Sequence, residues 1–299
     1  MWLGAVVAAA GRYAVLLAAT TALTVGAASL AEQGPILPTN PKAPVGGVRR
    51  VVSLVPSVTE IIFALGEGQR LVGVSTYCDH PPEVAGIERI GTYLEPNLER
   101  ILAVRPDVVI GVPTPGNQAA VQRLHDVGLQ VVIVGETTLE DARQAMLTVG
   151  DWVGVPEKAR ALQQKVDADL EEIRQHTAAR PPRRVLLVVG HDPLIAAGSG
   201  MYLDDLLRIA GGINVAADVG GRWPHVSLEA VVGLSPEVII DGAMGSEGRS
   251  SVKEYWARFS SLPAVRDGRV RAYRSPVLLR PGPRIVDAAR DLRDLIQRD

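Results

Sequence analysis

Histidine is the residue type best suited to acid–base work or to meeting a metal near neutral pH, and the chain has five: His80, His125, His176, His191 and His225. None forms a His-x-x-x-His or His-Glu pair on one helical face, so no metal-hydrolase helix is encoded. His125 and His176 fall in helical stretches with no second ligand nearby and read as surface residues. His80, His191 and His225 fall in loops at strand ends, where α/β sheets bind ligands. Each is either a contact to a metal centre carried by a ligand or an ordinary exposed loop residue. Cys78 is the one cysteine, which excludes an internal disulfide and a Cys-rich zinc or iron–sulfur site. The first strand–helix junction, Val55-Pro-Ser-Val-Thr-Glu60, lacks the glycines of a dinucleotide fingerprint. A Walker A loop and a Gly-x-Ser-x-Gly elbow are absent as well. No catalytic residue, resident cofactor or metal site is expected.

The aromatic residues are more informative. They make up 4% of the chain, yet Tyr77, Tyr93 and Trp223 sit in strand-end loops and not in periodic core patterns. Tyr and Trp offer a broad apolar face with a polar edge, which suits a flat amphipathic ligand. The same placement suits capping a core edge, and the residues alone do not separate the two. Trp152 and Trp256 lie in helical patterns and read as packing residues. Glu99 and Glu229 each occupy the first turn of a helix, behind Asn97 and Ser227 as caps. A carboxylate there complements the helix dipole; equally, two acidic knobs could meet basic sockets on a symmetric partner.

These residues need a scaffold, and the chain alternates short β-branched runs with helical stretches. The pattern predicts a strand from Arg50 closed by Pro56, then a helix capped by Ser57 or Thr59, with Ser57 and Glu60 as a capping box. Strands over 71–74, 108–112 and 130–134 and helices over 97–104 and 118–126 follow. From Pro156 to about Ala179 there is no glycine or further proline, and Ala159, Leu162, Val166, Leu170 and Ile173 mark one face of a long helix. Pro181-Pro182 ends it. A second series follows: strands over 185–189, 238–240 and 270–273, helices over 202–209 and 229–234, and a last helix from about Arg284. The Gly/Ser-rich stretch 245–251 reads as a flexible loop.

The segment Asn97-Leu-Glu-Arg-Ile-Leu-Ala-Val-Arg-Pro106-Asp-Val-Val-Ile is echoed by Ser227-Leu-Glu-Ala-Val-Val-Gly-Leu-Ser-Pro236-Glu-Val-Ile-Ile, at a constant offset of 130 residues. Two copies of one α/β unit on either side of a long helix predict two Rossmann-like lobes bridged by that helix. The expected division is 1–31 export segment, 32–47 Pro/Gly-rich linker, 48–155 first lobe, 156–180 bridging helix and 181–299 second lobe. In the first segment Arg12 precedes an apolar run that ends in small residues at Ala31, a signal-peptide pattern. Cleavage after Ala31 is the favoured reading, a retained anchor the other. A net charge of −2 argues against a nucleic-acid partner.

Several motifs together carry a resemblance. They are Val55-Pro-Ser-Val-Thr-Glu60, Val72-Gly-Val-Ser-Thr-Tyr77-Cys-Asp-His-Pro-Pro82, Asn97-Leu-Glu-Arg-Ile, Arg105-Pro-Asp-Val-Val-Ile110, Trp223-Pro-His-Val-Ser-Leu-Glu229 and Pro283-Arg-Ile. From about Arg50 onward the chain resembles the periplasmic binding proteins of the Fe-siderophore/haem/cobalamin class, and within it the cobalamin branch. The resemblance implies a class III, helix-backboned α/β fold and no enzyme activity. It implies a monomeric, periplasmic solute-binding component of an ABC importer, delivering cobalamin to the permease transmembrane subunits. Tyr77 and Trp223 match cleft positions, Tyr93 stands where the branch has Trp, Pro56 is expected to bind ligand beside them, and Glu99 and Glu229 match the permease-docking pair. Val112 stands where the branch has a cleft aromatic, and Ser275-Pro-Val-Leu-Leu-Arg280 lacks its acidic and aromatic residues. The rival within the class is haem or a ferric siderophore, with Tyr77 or His80 reaching iron and Arg280 pairing with ligand carboxylates. A sugar- or phosphate-processing α/β enzyme is a remote third reading.

Overall fold

The computed structural model describes residues 40–114, 116–243 and 252–298. The export-segment reading of 1–31, the first part of the linker and the loop reading of 245–251 lie outside the described residues. In the first lobe, β1 (Val51–Ser53), β2 (Leu71–Val74), β3 (Val108–Gly111) and β4 (Val131–Ile133) alternate with α1 (Pro56–Ala64), α2 (Leu98–Ala103) and α3 (Gln118–Asp126), and α4 (Leu139–Trp152) follows. The strands form one parallel sheet in the order β2-β1-β3-β4. Its two central strands, β1 and β3, are buried at every position, as valine-rich runs covered on both faces should be.

The second lobe holds β5 (Arg183–Gly190), β6 (Ile195–Ala196), α6 (Tyr202–Ile209), β7 (Gly212–Asn214), α7 (Leu228–Leu234), β8 (Val238–Asp241), α8 (Val252–Ala257), α9 (Pro263–Arg266), β9 (Val270–Ala272) and α10 (Ile285–Gln297). Its sheet runs β6-β5-β8-β9, with β7 also on β5. All pairs are parallel except β5–β6.

Between the sheets runs α5 (Pro156–Ala178), 23 residues with Pro156 in the first turn, about 35 Å at 1.5 Å per residue. Ala159, Val166, Leu170 and Ile173 form its buried stripe. The stripe packs on α4 of the first lobe and on α6 and α10 of the second. The helical pattern around Trp152 points to α4 but sets no bounds for it. Its buried face carries Met146, Val149 and Trp152, with the small residues Ala142, Ala145 and Gly150 between them. Gly150 is small for a reason: a Cβ there would lie 2.2 Å from that of Ala159, so the two helices meet almost backbone to backbone at that point.

The repeat extends to its brackets. The Asp107 carboxylate accepts from Arg49 N and Arg50 N, and the Arg50 guanidinium donates to Val104 O. In the second lobe Glu237 accepts from Arg184 N, whose guanidinium donates to Leu234 O. Arg105 and Ser235, before the matching prolines, both take left-handed backbone, φ 42° and 46°.

Two expectations need correction. No capping box opens α1: Val55 is the N-cap without a side-chain bond, and Pro56 stands in the first turn, where its missing N–H costs nothing. Thr59 instead donates to Ser53 Oγ at 2.8 Å, and its hydroxyl lies 3.1 Å from Cys78 Sγ. The linker end is not a free spacer either. Asn40 exchanges two hydrogen bonds with the backbone of Ile133, and Ala43 packs on the core.

Glu60 joins the lobes. It is 3% exposed in the first lobe, and Arg284 of the second donates to both its oxygens, at 2.9 and 2.6 Å. Arg280 lies 3.5 Å from Glu60 and pairs with Asp79 as well. Tyr202 N donates to Thr137 O at 2.8 Å across the same boundary. Removing one member of a buried pair strands the other charge, whereas removing both does not. Arg284→Met should therefore lower the unfolding free energy by about 3–5 kcal/mol, and Glu60→Leu combined with Arg284→Leu by much less. Denaturant titration checks this, and equal losses in the two variants would contradict it.

Candidate ligand cleft

Two adjoining cavities open between the lobes. The inner one, about 360 Å³, is lined by Val55, Pro56 and Ser57 at the start of α1, Tyr77 beyond β2, Tyr93, and Pro276, Leu279 and Arg280 of the second lobe. The outer one, about 530 Å³, is lined by Val189, Ile195, Met201, Tyr202, Arg222, Trp223 and Pro281. Glu136 and Leu279 border both, so the two form one cleft. Its first-lobe wall lies beyond the carboxyl ends of β1, β2 and β4, where open α/β sheets place ligands. Each volume falls within the range of small-molecule sites.

The structure brings Pro56, Tyr77, Tyr93 and Arg280 together in the inner cavity and puts Trp223 in the outer one. Tyr77 and Trp223 remain 49% and 45% exposed, and such large aromatic faces left uncovered favour ligand contact over core capping. Tyr93 packs partly on the core and holds Tyr77, ring centres 5.7 Å apart and planes tilted 54°. Val112 is 1% exposed and belongs to the core.

Arg280 lines the inner cavity but is already paired. Its guanidinium is committed to Asp79, at 3.0 Å from Nη2 to Oδ2, and to Glu60. That pairing holds the Asp79 carboxyl below its usual range. The expected bond to a ligand carboxylate would have to displace two carboxylates already in place. His80 is not among the residues lining either cavity. His191 is bound elsewhere: its Nε2 meets both oxygens of buried Asp241, at 3.1 and 2.9 Å, and Trp256 donates to the same carboxylate at 2.8 Å. His225 is exposed and bridges Ile195 by backbone pairing. Glu99 and Glu229 are both exposed. Asn97 and Ser227 accept from the backbone N–H of Arg100 and Ala230 in the same two helical turns. Backbone N–H and the Ser227 hydroxyl hold the Glu229 carboxyl below its usual range.

Glu136 escaped sequence reasoning. The one available signal was its place just after the 130–134 strand; its burial depends on second-lobe residues far away in the chain. The loop beneath it is fixed by the α4 cap. Asp141 accepts from Thr137 N and Thr138 N, and Thr138 Oγ1 accepts from Asp141 N. A Cβ on Gly135 would strike the Asp141 carboxylate at 2.5 Å. No hydrogen bond or ion pair to the Glu136 carboxyl occurs among the described residues, and burial pushes its pKa up to about 7. The folded protein therefore keeps a proton that an unfolded glutamate, with its ordinary value of 4.5, releases. Stability should fall as pH rises between those values. Glu136→Gln should leave stability near pH 4 unchanged and raise it at about pH 8 by about 1–3 kcal/mol. Parallel stability–pH profiles for the two proteins would contradict the burial cost.

A periplasmic binding protein family model matches residues 51–277. The vitamin B12-binding protein of Salmonella typhimurium is 33% identical over 243 residues, 81% of this chain and 88% of the relative. The crystal structure of the periplasmic vitamin B12-binding protein BtuF of Vibrio cholerae superposes with TM-score 0.73 at 27% identity, covering 85% of this chain and 98% of that one. The periplasmic haem-binding protein RhuT from Roseiflexus sp. RS-1, in apo form, superposes with TM-score 0.74 at 31% identity, covering 84% and 98%. No helix among the described residues is long and apolar enough to cross a membrane. With two α/β lobes, a bridging helix and an aromatic cleft between them, the chain belongs to the periplasmic binding protein family, as a solute-binding protein and not an enzyme.

Proposed function

We propose that this chain is the exported solute-binding component of an ABC importer and that it carries a corrinoid, cobalamin or a relative, in the cleft. The observation that supports this most is the apolar crevice bearing uncovered aromatic faces from both lobes, Tyr77 and Trp223. A corrin ring is broad, flat and fringed with neutral amides, and it fits walls of Pro56, Tyr77, Tyr93, Leu279 and Trp223. The vitamin B12-binding relative supports the same ligand. In this reading the protein is a monomer, exported by residues 1–31 with cleavage after Ala31, and the bound ligand is cargo. The ion pairs between the lobes limit closure, so the cleft is largely preformed and binding costs little ordering. Glu99 and Glu229 dock the two lobes onto the permease transmembrane subunits.

Haem or a ferric siderophore is the rival, favoured by haem-binding neighbours such as RhuT and by Tyr77 as an iron ligand. Against it, His80 does not line the cleft and Arg280 is spent on Asp79 and Glu60.

Calorimetry with cyanocobalamin should give micromolar or tighter binding with quenching of tryptophan fluorescence. Trp223→Ala should weaken it by about tenfold, as expected for loss of one stacked aromatic. A Soret band on adding haem that is lost in Tyr77→Ala, with no heat from cyanocobalamin, would overturn the corrinoid reading. The Glu99→Ala, Glu229→Ala double variant should keep its ligand affinity but lose most transport with the reconstituted permease. An unchanged transport rate would remove the docking role.

A further inference from the structure

The most buried carboxylates of the described residues are all satisfied. Glu60 has Arg284, Glu67 has Arg70 and Lys158, Asp204 has Arg208 and Asn214, and Asp241 has His191 and Trp256. Glu136 differs from them: it is half-buried. It lies where the two cavities meet, its backbone is fixed by the α4 cap, and its carboxyl has no partner among the described residues. A half-buried carboxyl that lines a binding cleft and has no protein partner is free to take a hydrogen bond from a ligand.

The cleft holds two other charged side chains. Arg280 is neutralised by Asp79 and Glu60. Arg222 is exposed and lines only the outer cavity. The Tyr202 hydroxyl is already spent, donating to Leu278 O at 2.9 Å. Of the two arginines on the wall one is neutralised and the other lines the outer cavity alone, so among the described residues the one charged side chain bordering both cavities is the Glu136 carboxyl.

We propose that Glu136 determines ligand specificity: it accepts a hydrogen bond from an N–H or O–H donor of the cargo at the cleft junction and rejects cargo that presents a carboxylate there. This rests on the corrinoid reading and sharpens it, since a corrin rim carries amide donors whereas haem carries propionates. Specificity built on a buried polar group comes as much from the ligands it excludes as from those it accepts.

The test measures affinities of the parent, Glu136→Gln and Glu136→Leu for cyanocobalamin and for cyanocobalamin monoacids with one rim amide hydrolysed. The parent should prefer the amide over at least one monoacid by about tenfold or more, from like-charge repulsion in a partly dry site. Glu136→Gln, which keeps an acceptor but no charge, should bind cyanocobalamin within about threefold of the parent and bind that monoacid nearly as well. Glu136→Leu should lose about three- to tenfold on cyanocobalamin, the worth of one hydrogen bond. The parent's affinity for that monoacid should rise from about pH 8 to about pH 6 as Glu136 takes up its proton, with no such rise in Glu136→Gln. Arg222 and Arg280 are the other charged groups on the wall. Identical amide-to-acid ratios in parent and Glu136→Gln would overturn the proposal. If the parent takes haem and not cyanocobalamin, the corrinoid reading fails by itself. Glu136 is then judged on haem against its dimethyl ester, and a parent that prefers the free dianion overturns the selector.

Discussion

The Glu60 carboxylate is buried in one lobe, and its cationic partners come from the other. A charge so buried is tolerable only when it is paired and hydrogen-bonded, so the two halves must come together for either to be stable there. One of them, Arg280, also reaches Asp79 and the backbone of Tyr77, which ties the loop bearing the cleft aromatic to the second lobe. The apolar core obeys the same constraint. One continuous cluster runs from Val51 through Val166 and Leu170 to Ile296. With charge and apolar contact both fixing the lobes, the cleft between them has one set of walls.

That arrangement divides the polar groups into two kinds. Arginines at the base of the cleft are consumed in holding the lobes, as Arg280 and Arg284 are. What remains facing the ligand is mostly apolar and aromatic, with Glu136 at the junction and Arg222 at the edge. Such a surface grips by area and orients by a few polar contacts. It favours a large, flat, mostly neutral guest over a highly charged one.

The duplicated units show how one local solution was used twice. In each lobe an acidic residue after the proline holds the backbone leading into the first strand, and an arginine of that segment caps the preceding helix. The left-handed residues Arg105 and Ser235 end α2 and α7 at the same point. Glu99 and Glu229, in the first turns of these helices, are thereby set in equivalent frames on the two lobes. A two-fold symmetric partner requires such frames, though the symmetry also follows from duplication alone.

Local order was legible in the sequence because its signals are local. Valine-rich runs, the 159–173 stripe, Pro156 and Pro181-Pro182 bound strands and the bridging helix without any knowledge of neighbours. The 130-residue echo gave the two-lobed plan, and the aromatic residues outside core patterns pointed to the cleft. The tertiary structure alone decided what each polar group does. Ser57 and Glu60 have the spacing of a capping box, but Pro56 makes the cap unnecessary and Arg284, 224 residues away, claims Glu60. Arg280 looked free for a ligand until Asp79 was found beside it. Beyond its place after a strand, nothing in the sequence marks Glu136, which borders both cavities and is half-buried only in the folded chain. Pairing and desolvation depend on which distant segments meet, and sequence spacing carries no record of that.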